Sequence, residues 1–203
     1  EIGQIAGRAG RYMNDGSFGV TGEVENINPE DIEQIENHKF EEINTIFWRN
    51  SDLNFNNSKS LMLSLDEKPK KGWLRRIHEC EDEKVLKLKI NHENENLKND
   101  NEKTLKLLWE CCQIPDFVKK SYGKHLEIVK KVFEFLSKQN GRIPNKYFKE
   151  QLKPLDKIEG NVDSISNRIA NVRIWSYVAN KSNWVENNDY WIERTKNLED
   201  KLS

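Results

Sequence analysis

Between residues 122 and 140 the side chains of Leu126, Val129, Phe133 and Leu136 recur at helical spacing, and Gly141 stands where such a helix would stop. No other stripe in the chain constrains the fold as strongly, and the segments around it repeat its logic. Residues 58–65 predict a short helix stopped before Pro69, 104–112 a helix closed by Ile114-Pro115, and 144–152 one ended by Pro154. Asp163 is the expected cap of a helix running to Asn180 with Ile165, Ile169, Val172 and Trp175 facing inward. A last helix opens at Asn188 or Asp189 and carries Trp191, Leu198 and Leu202. Earlier, Asn28-Pro29-Glu30-Asp31 supplies a cap, a first-turn proline and acids in the first turn, followed by Ile32, Ile35 and Phe40 as an apolar stripe. Residues 82–91 read both ways. Leu86, Leu88 and Ile90 alternate as a strand would, while the acidic lead-in and the lysines favour a helix. The polar stretch 91–101 is the best internal linker. The expectation is a mainly α chain.

Composition bounds what such helices can do. Of 203 residues, 35% are hydrophobic and 33% charged, yet six Trp, eight Phe and five Tyr offer enough large apolar surface for a packed core. Net charge is −1, so any nucleic-acid surface has to be a local patch or lie elsewhere. No apolar run approaches the roughly 20 residues of a membrane span, and no charged-then-apolar leader opens the chain. A cytoplasmic protein with no membrane partner is expected. Cys80, Cys111 and Cys112 are an odd set without a CxxC pair, and His38, His78, His92 and His125 lack ligand spacing, so neither a disulfide framework nor a metal site is expected.

The first residues carry the chemistry. Gln4-Ile5-Ala6-Gly7-Arg8-Ala9-Gly10-Arg11 places two arginines three apart, so that on a helical turn they project to nearly the same side. Gly7 and Gly10 precede them, where a missing side chain lets another surface approach the backbone. Two guanidiniums presented together suit a polyphosphate, and Gln4 can hold a water or bond a phosphate oxygen. After an Asp15-Gly16 turn signal, residues 17–24 alternate, with Phe18, Val20 and Val24 on one side, and predict a short strand or one half of a hairpin.

The spacing of Gln4, Gly7, Arg8, Gly10 and Arg11 resembles motif VI of superfamily 2 helicases, in which the motif lies on the second RecA-like domain and faces ATP. The resemblance implies that Arg8 and Arg11 meet the γ-phosphate as catalytic groups, Arg11 as the arginine finger, with Gln4, Gly7 and Gly10 completing the nucleotide-binding wall. Further segments extend it: His38-Lys39-Phe40, Phe47-Trp48-Arg49-Asn50-Ser51, Trp109-Glu110-Cys111-Cys112-Gln113-Ile114-Pro115-Asp116-Phe117, and residues 140–144, 169–179 and 191–195. Together these resemble the C-terminal half of RNA helicases of the mitochondrial-degradosome type and their bacterial relatives. That resemblance implies the end of a RecA-like α/β domain (residues 1–27), a helical connecting region (28–98) and an all-helical C-terminal domain (99–203) that helps enclose RNA. It also implies an ATP-dependent helicase acting in RNA degradation, with ATP and Mg2+ as cofactors of the intact protein. Its partners would be RNA (DNA being the other candidate), the remaining RecA-like domains and a 3′-to-5′ exoribonuclease.

The chain opens mid-motif without Met, and is expected to be a fragment. It contains no G-x-x-x-x-G-K-[ST] phosphate loop and no D-E-x-H or D-E-x-D magnesium motif, so alone it should bind no ATP or Mg2+ and hydrolyse nothing. A non-enzymatic helical module that binds RNA or docks a ribonuclease is the competing expectation. Arg142, Lys146, Lys149, Lys153 and Lys157 make the densest basic segment, which suits either a phosphate backbone or a solvated helix face. Arg173, beside Trp175, is a further nucleic-acid candidate, although Trp175 falls on the apolar stripe and suits the core as well.

Overall fold

The computed structural model describes residues 2–10, 14–40, 42–78, 80–92, 101–119, 122–138 and 141–203. Most of the linker expected at 91–101 lies outside them. Contacts group the chain into two compact units, Glu1–Ile46 and Phe47–Ser203. The described secondary structure is mainly helical.

The first unit holds α1 (Ile2–Ala6) and α2 (Pro29–Glu36). The start of α2 is built as its sequence predicts. Asn28 Oδ1 accepts from the Glu30 amide at 3.2 Å, Pro29 occupies the first turn, and Glu30 and Asp31 sit at the positive end of the helix dipole. Phe40 lies beyond the end of α2 and is exposed. The strand expected at 17–24 does not form. This stretch runs without regular structure into a turn in which the Val24 amide donates to Thr21 O at 3.0 Å. A strand needs a neighbouring edge and a face to bury. No strand lies within the described residues of 2–40, and Val20 and Val24 remain 40% and 60% exposed.

The second unit has a continuous core. Two three-residue strands, β1 (Ile46–Trp48) and β2 (Leu74–Arg76), form a two-stranded sheet. Alternation that short leaves no sequence signature, and neither strand was expected. Between them, α3 (Ser58–Leu65) is capped by Asn57, whose side chain accepts from the Ser60 amide at 2.8 Å, and buries Leu61 and Leu65. The ambiguous segment resolves as helix α4 (Glu81–His92), with Val85 and Leu86 fully buried. A strand would have placed successive residues 85 and 86 on opposite faces, whereas a helix interior can bury both.

Polar side chains fasten α4 to the sheet. Glu83, 1% exposed, lies 3.2 Å from Arg76 Nη2 and 3.6 Å from Arg49 Nε. Arg49 also pairs with Asp82 at 2.9 Å and lies over the Trp109 ring. Neighbouring Asn50 donates through Nδ2 to Asp52 O, Ser64 O and Glu67 Oε2.

Next come α5 (Glu102–Cys112) and α6 (Tyr122–Ser137), which pack on each other, with α5 also against α4. The Trp109–Phe117 block that carries much of the family resemblance is structural here. Trp109, Cys111, Cys112 and Ile114 are core, and Asp116 Oδ1 accepts from the amides of Val118 and Lys119 to fix the turn that follows. Burial pushes both thiols up, that of Cys112 to about 12, so neither is a nucleophile at neutral pH.

On α6, His125 is 4% exposed, and its Nδ1 has no hydrogen-bond partner among the described residues. Burial lowers its pKa below the ordinary 6.5, against the opposing pull of Asp116 and Glu81 and a backbone hydrogen bond at Ile114. The unfolded chain therefore takes up this proton more readily than the folded one. The stability linked to His125 is intact above about pH 6.5 and is lost as pH falls from there through the folded pKa. Urea midpoints measured from about pH 8 to about pH 5 should decline on the acid side, and His125→Gln should flatten that decline. An unchanged slope in the variant would remove His125 from the account.

Gly141, at φ +64°, leads into α7 (Asn145–Leu152), which continues as a 3-10 turn over Lys153–Leu155. Then come α8 (Val162–Asn180) and α9 (Asn188–Leu202), packed along each other. The cap of α8 is Asn161, accepting from Ser164 N at 2.9 Å, in place of the expected Asp163, which sits in the first turn. Ile143 and Val185 form a lone parallel bridge, with the Ile143 amide donating to Trp184 O at 2.7 Å. This ties the entry of α7 to the α8–α9 connection.

Candidate functional site

In the first unit, Gln4 lies within α1, and the turn continues past its end. The amides of Gly7, Arg8 and Ala9 donate to Gly3 O, Ile5 O and Ala6 O at 2.9, 3.2 and 3.0 Å. Gln4 and Arg8, four residues apart on this continued turn, are both exposed, whereas Ala6 is buried. Of the side chains expected to meet a phosphate, those of Gln4 and Arg8 are thus solvent-accessible, and Gly7 and Gly10 are exposed with them. Arg11 lies outside the described residues.

Gly16 backs the motif. A Cβ at this position would collide with the Ala9 carbonyl group and the Gly10 amide nitrogen, so the Asp15-Gly16 turn lies against the motif backbone at a separation only glycine permits. Gly16→Ala is expected to displace residues 9–10 and loosen the turn before them. Amide exchange at Gly7, Arg8 and Ala9 should rise well above wild type, and unaltered exchange would show that the contact carries no strain.

The second candidate region is basic. Arg142, Lys146, Lys149 and Lys153 are all exposed, and none forms an ion pair with another described residue. Arg173 is differently placed: its Nε donates to Glu199 Oε1 of α9 at 2.7 Å, so its charge is already engaged. Trp175, at 2% exposure, belongs to the core, as do Trp109, Trp184 and Trp191, while Trp48 is half-buried.

Two residues not foreseen from sequence complete a groove beside Lys149 and Lys153. Tyr190 (57% exposed) and Arg194 lie one turn apart on α9, facing α7 across a cleft of about 560 Å³ floored by Leu152 and Trp191. Arg194 and Lys201 both pair with Asp156, each at 2.6 Å. Those hydrogen bonds, that of Lys201 foremost, hold the Asp156 carboxyl below the usual carboxylate range. A spacing of four residues between Tyr190 and Arg194 was readable, but which helix they would face was not.

No group of three or more His, Cys, Asp or Glu side chains among the described residues is arranged to hold a metal, and no described helix is long and apolar enough to cross a membrane. Comparison with known proteins gives no match: no family model, curated protein or solved structure aligns with this chain.

Proposed function

We propose that this chain is the C-terminal part of an ATP-dependent RNA helicase of superfamily 2. In this reading Arg8 and Arg11 complete the ATP site of a longer protein, and the helical second unit guides the nucleic acid. The carrying observation is the Gln4, Gly7, Arg8, Gly10, Arg11 spacing, supported by the exposure of Gln4 and Arg8 on one continued helical turn.

The packing of the first unit agrees with the reading. Among its described hydrophobic side chains only Ala6 is buried, while Ile2, Ile5, Phe40 and Ile43 are 53%, 71%, 56% and 85% exposed. A segment that buries so little cannot offset the entropy of ordering its own backbone, and so many exposed large apolar residues call for a covering surface. In this reading the remainder of a second RecA-like domain, to which residues 1–27 would belong, would supply such a surface.

ATP fits these residues on one side only. Guanidiniums at positions 8 and 11 would neutralise charge developing on the transferred phosphoryl group, and bound Mg2+ would supply charge neutralisation between the phosphates. This chain's own part is the cationic wall. The magnesium-binding carboxylates and the phosphate loop are assigned to the remainder of the parent protein, as are any exoribonuclease contacts.

The test is a longer protein that carries this chain together with a phosphate-loop lysine and an acidic magnesium motif. It should hydrolyse ATP faster with single-stranded RNA present, while the 203-residue chain alone should not hydrolyse it. A parent sequence lacking both motifs, or a parent without RNA-stimulated hydrolysis, would sink the reading in favour of a non-enzymatic RNA-binding or nuclease-docking module.

A further inference from the structure

The groove between α7 and α9 brings together an exposed aromatic ring, Tyr190, and two lysines, Lys149 and Lys153, that have no carboxylate partner among the described residues. Lys149 and Lys153, one turn apart on α7 and the turn that continues it, form one wall; Tyr190 and Arg194 form the other. The walls are fixed from below. Trp191 Nε1 donates to Asn145 Oδ1 at 2.7 Å, the Phe148 and Trp191 rings lie 4.8 Å apart, and Leu152 is 4% exposed.

Charge within the groove is unbalanced although the chain's net charge is −1. The lining holds three cations, Lys149, Lys153 and Arg194, against one carboxylate, Asp156, and Lys201 shares that carboxylate. Asp156 is thus saturated, and it holds Arg194 in place. What the groove offers to a ligand is the two free ammoniums and the accessible Tyr190 ring.

We infer that this groove binds single-stranded nucleic acid, with Tyr190 stacking on a base while Lys149 and Lys153 neutralise the flanking phosphates. The chemistry matches sequence-tolerant single-strand binding, where a ring supplies a platform for any base and lysines track the backbone. A duplex has no free base face to give Tyr190 and should bind more weakly. An acidic peptide would satisfy the lysines but leave the exposed part of the Tyr190 ring, whose centroid lies 4.8 Å from that of Trp191, uncovered. The inference rests on the nucleic-acid reading proposed above and gives it a location. It involves no motif residue.

The experiment uses the 203-residue chain and a fluorescent oligouridylate of about 12 nucleotides, followed by anisotropy at low and moderate salt. A second arm uses the matching DNA strand, a third an RNA duplex, and a fourth a polyglutamate competitor. Single strands should bind with a clear salt dependence. Tyr190→Ala should weaken binding about tenfold or more while Tyr190→Phe, which keeps the ring, stays near wild type. Lys149→Glu with Lys153→Glu should weaken binding and reduce the salt slope, whereas the charge-matched pair Lys59→Glu and Lys70→Glu, on and after α3, should not.

Circular-dichroism melting of each variant separates lost binding from lost folding, and Tyr190 is exposed enough that its truncation should leave the melt unchanged. Absence of single-strand binding, equal losses in both lysine pairs, equal affinity for the duplex, or displacement by polyglutamate as effective as by unlabelled RNA would each overturn the inference. Preference between RNA and DNA strands reports the sugar requirement: comparable affinity, or a preference for RNA, supports the stacking mode, and binding of DNA alone would overturn it. Arg8→Ala and Arg11→Ala should leave this binding intact. A failed groove with working ATP hydrolysis in the parent is thereby distinguished from a failed helicase assignment.

Discussion

Alanine at Arg11 is expected to lower ATP hydrolysis by the parent protein about 10³-fold or more, the range over which arginine fingers act in phosphoryl transfer. The size follows from timing. Negative charge on the transferred phosphoryl group redistributes as the bond to the leaving oxygen lengthens, and a guanidinium placed there in advance stabilises that state more than the bound nucleotide. The loss should therefore fall on kcat, with KM for ATP little changed. Arg8→Ala should also impair hydrolysis. Its exposure on the same turn as Gln4 leaves it free to touch the phosphates in the ground state, so part of its loss should appear in KM. Arg11→Lys should not restore the rate, because a point charge on a flexible stem does not reproduce the planar fork. Normal RNA-stimulated hydrolysis by the Arg11→Ala protein would end the finger assignment.

Where a helical period coincides with a cap or a stop, sequence and structure agree. The stripe of α6, the start of α2 with Asn28 and Pro29, and the helix at 58–65 are all present as expected, because each decision is local: a cap, a period of 3.6, a stop. Residues 17–24 had an equally clear alternation and formed no strand. Alternation describes a face, but a strand also requires an edge supplied by distant residues, and no strand lies within the described residues of 2–40. The three-residue strands β1 and β2 show the converse. They pair with each other across a long stretch of chain, with Arg49 and Arg76 reaching Glu83 on α4 beside them, a tertiary arrangement with no local trace.

The candidate sites divide in the same way. A linear motif such as Gln4 to Arg11 announces itself by its spacing in the sequence alone. Lysines 146, 149 and 153 were visible as a run, but a run cannot say whether it faces solvent or a partner. Only the fold sets Tyr190 across a cleft from Lys149 and Lys153, and it commits Arg194 and Lys201 to Asp156. Arg173 looked equivalent in sequence and is committed to Glu199 in the fold.

Phe148→Ala should be the most damaging of the changes considered for the second unit, costing about 3–5 kcal/mol of stability. The ring is fully buried, with its centroid 5.3 Å from that of Trp175 on α8 and 4.8 Å from that of Trp191 on α9, so truncation leaves a void between two rigid indoles that cannot collapse into it. An eight-residue helix has too little propensity to persist alone, so α7 is held in place mainly by Phe148 and Leu152. Phe148→Leu, which keeps much of the volume, should cost less. The urea midpoint should fall with the m-value unchanged for both variants, and a loss below about 1 kcal/mol for the alanine form would show that α7 is not anchored through this ring. Because α7 carries one wall of the groove, Phe148→Ala should also weaken single-strand binding, although its side chain touches no ligand. Tyr190→Ala should do the reverse, losing affinity while keeping the melting transition. Measured together, the two variants separate a groove that exists because the core holds α7 from one whose exposed side chains act independently of it.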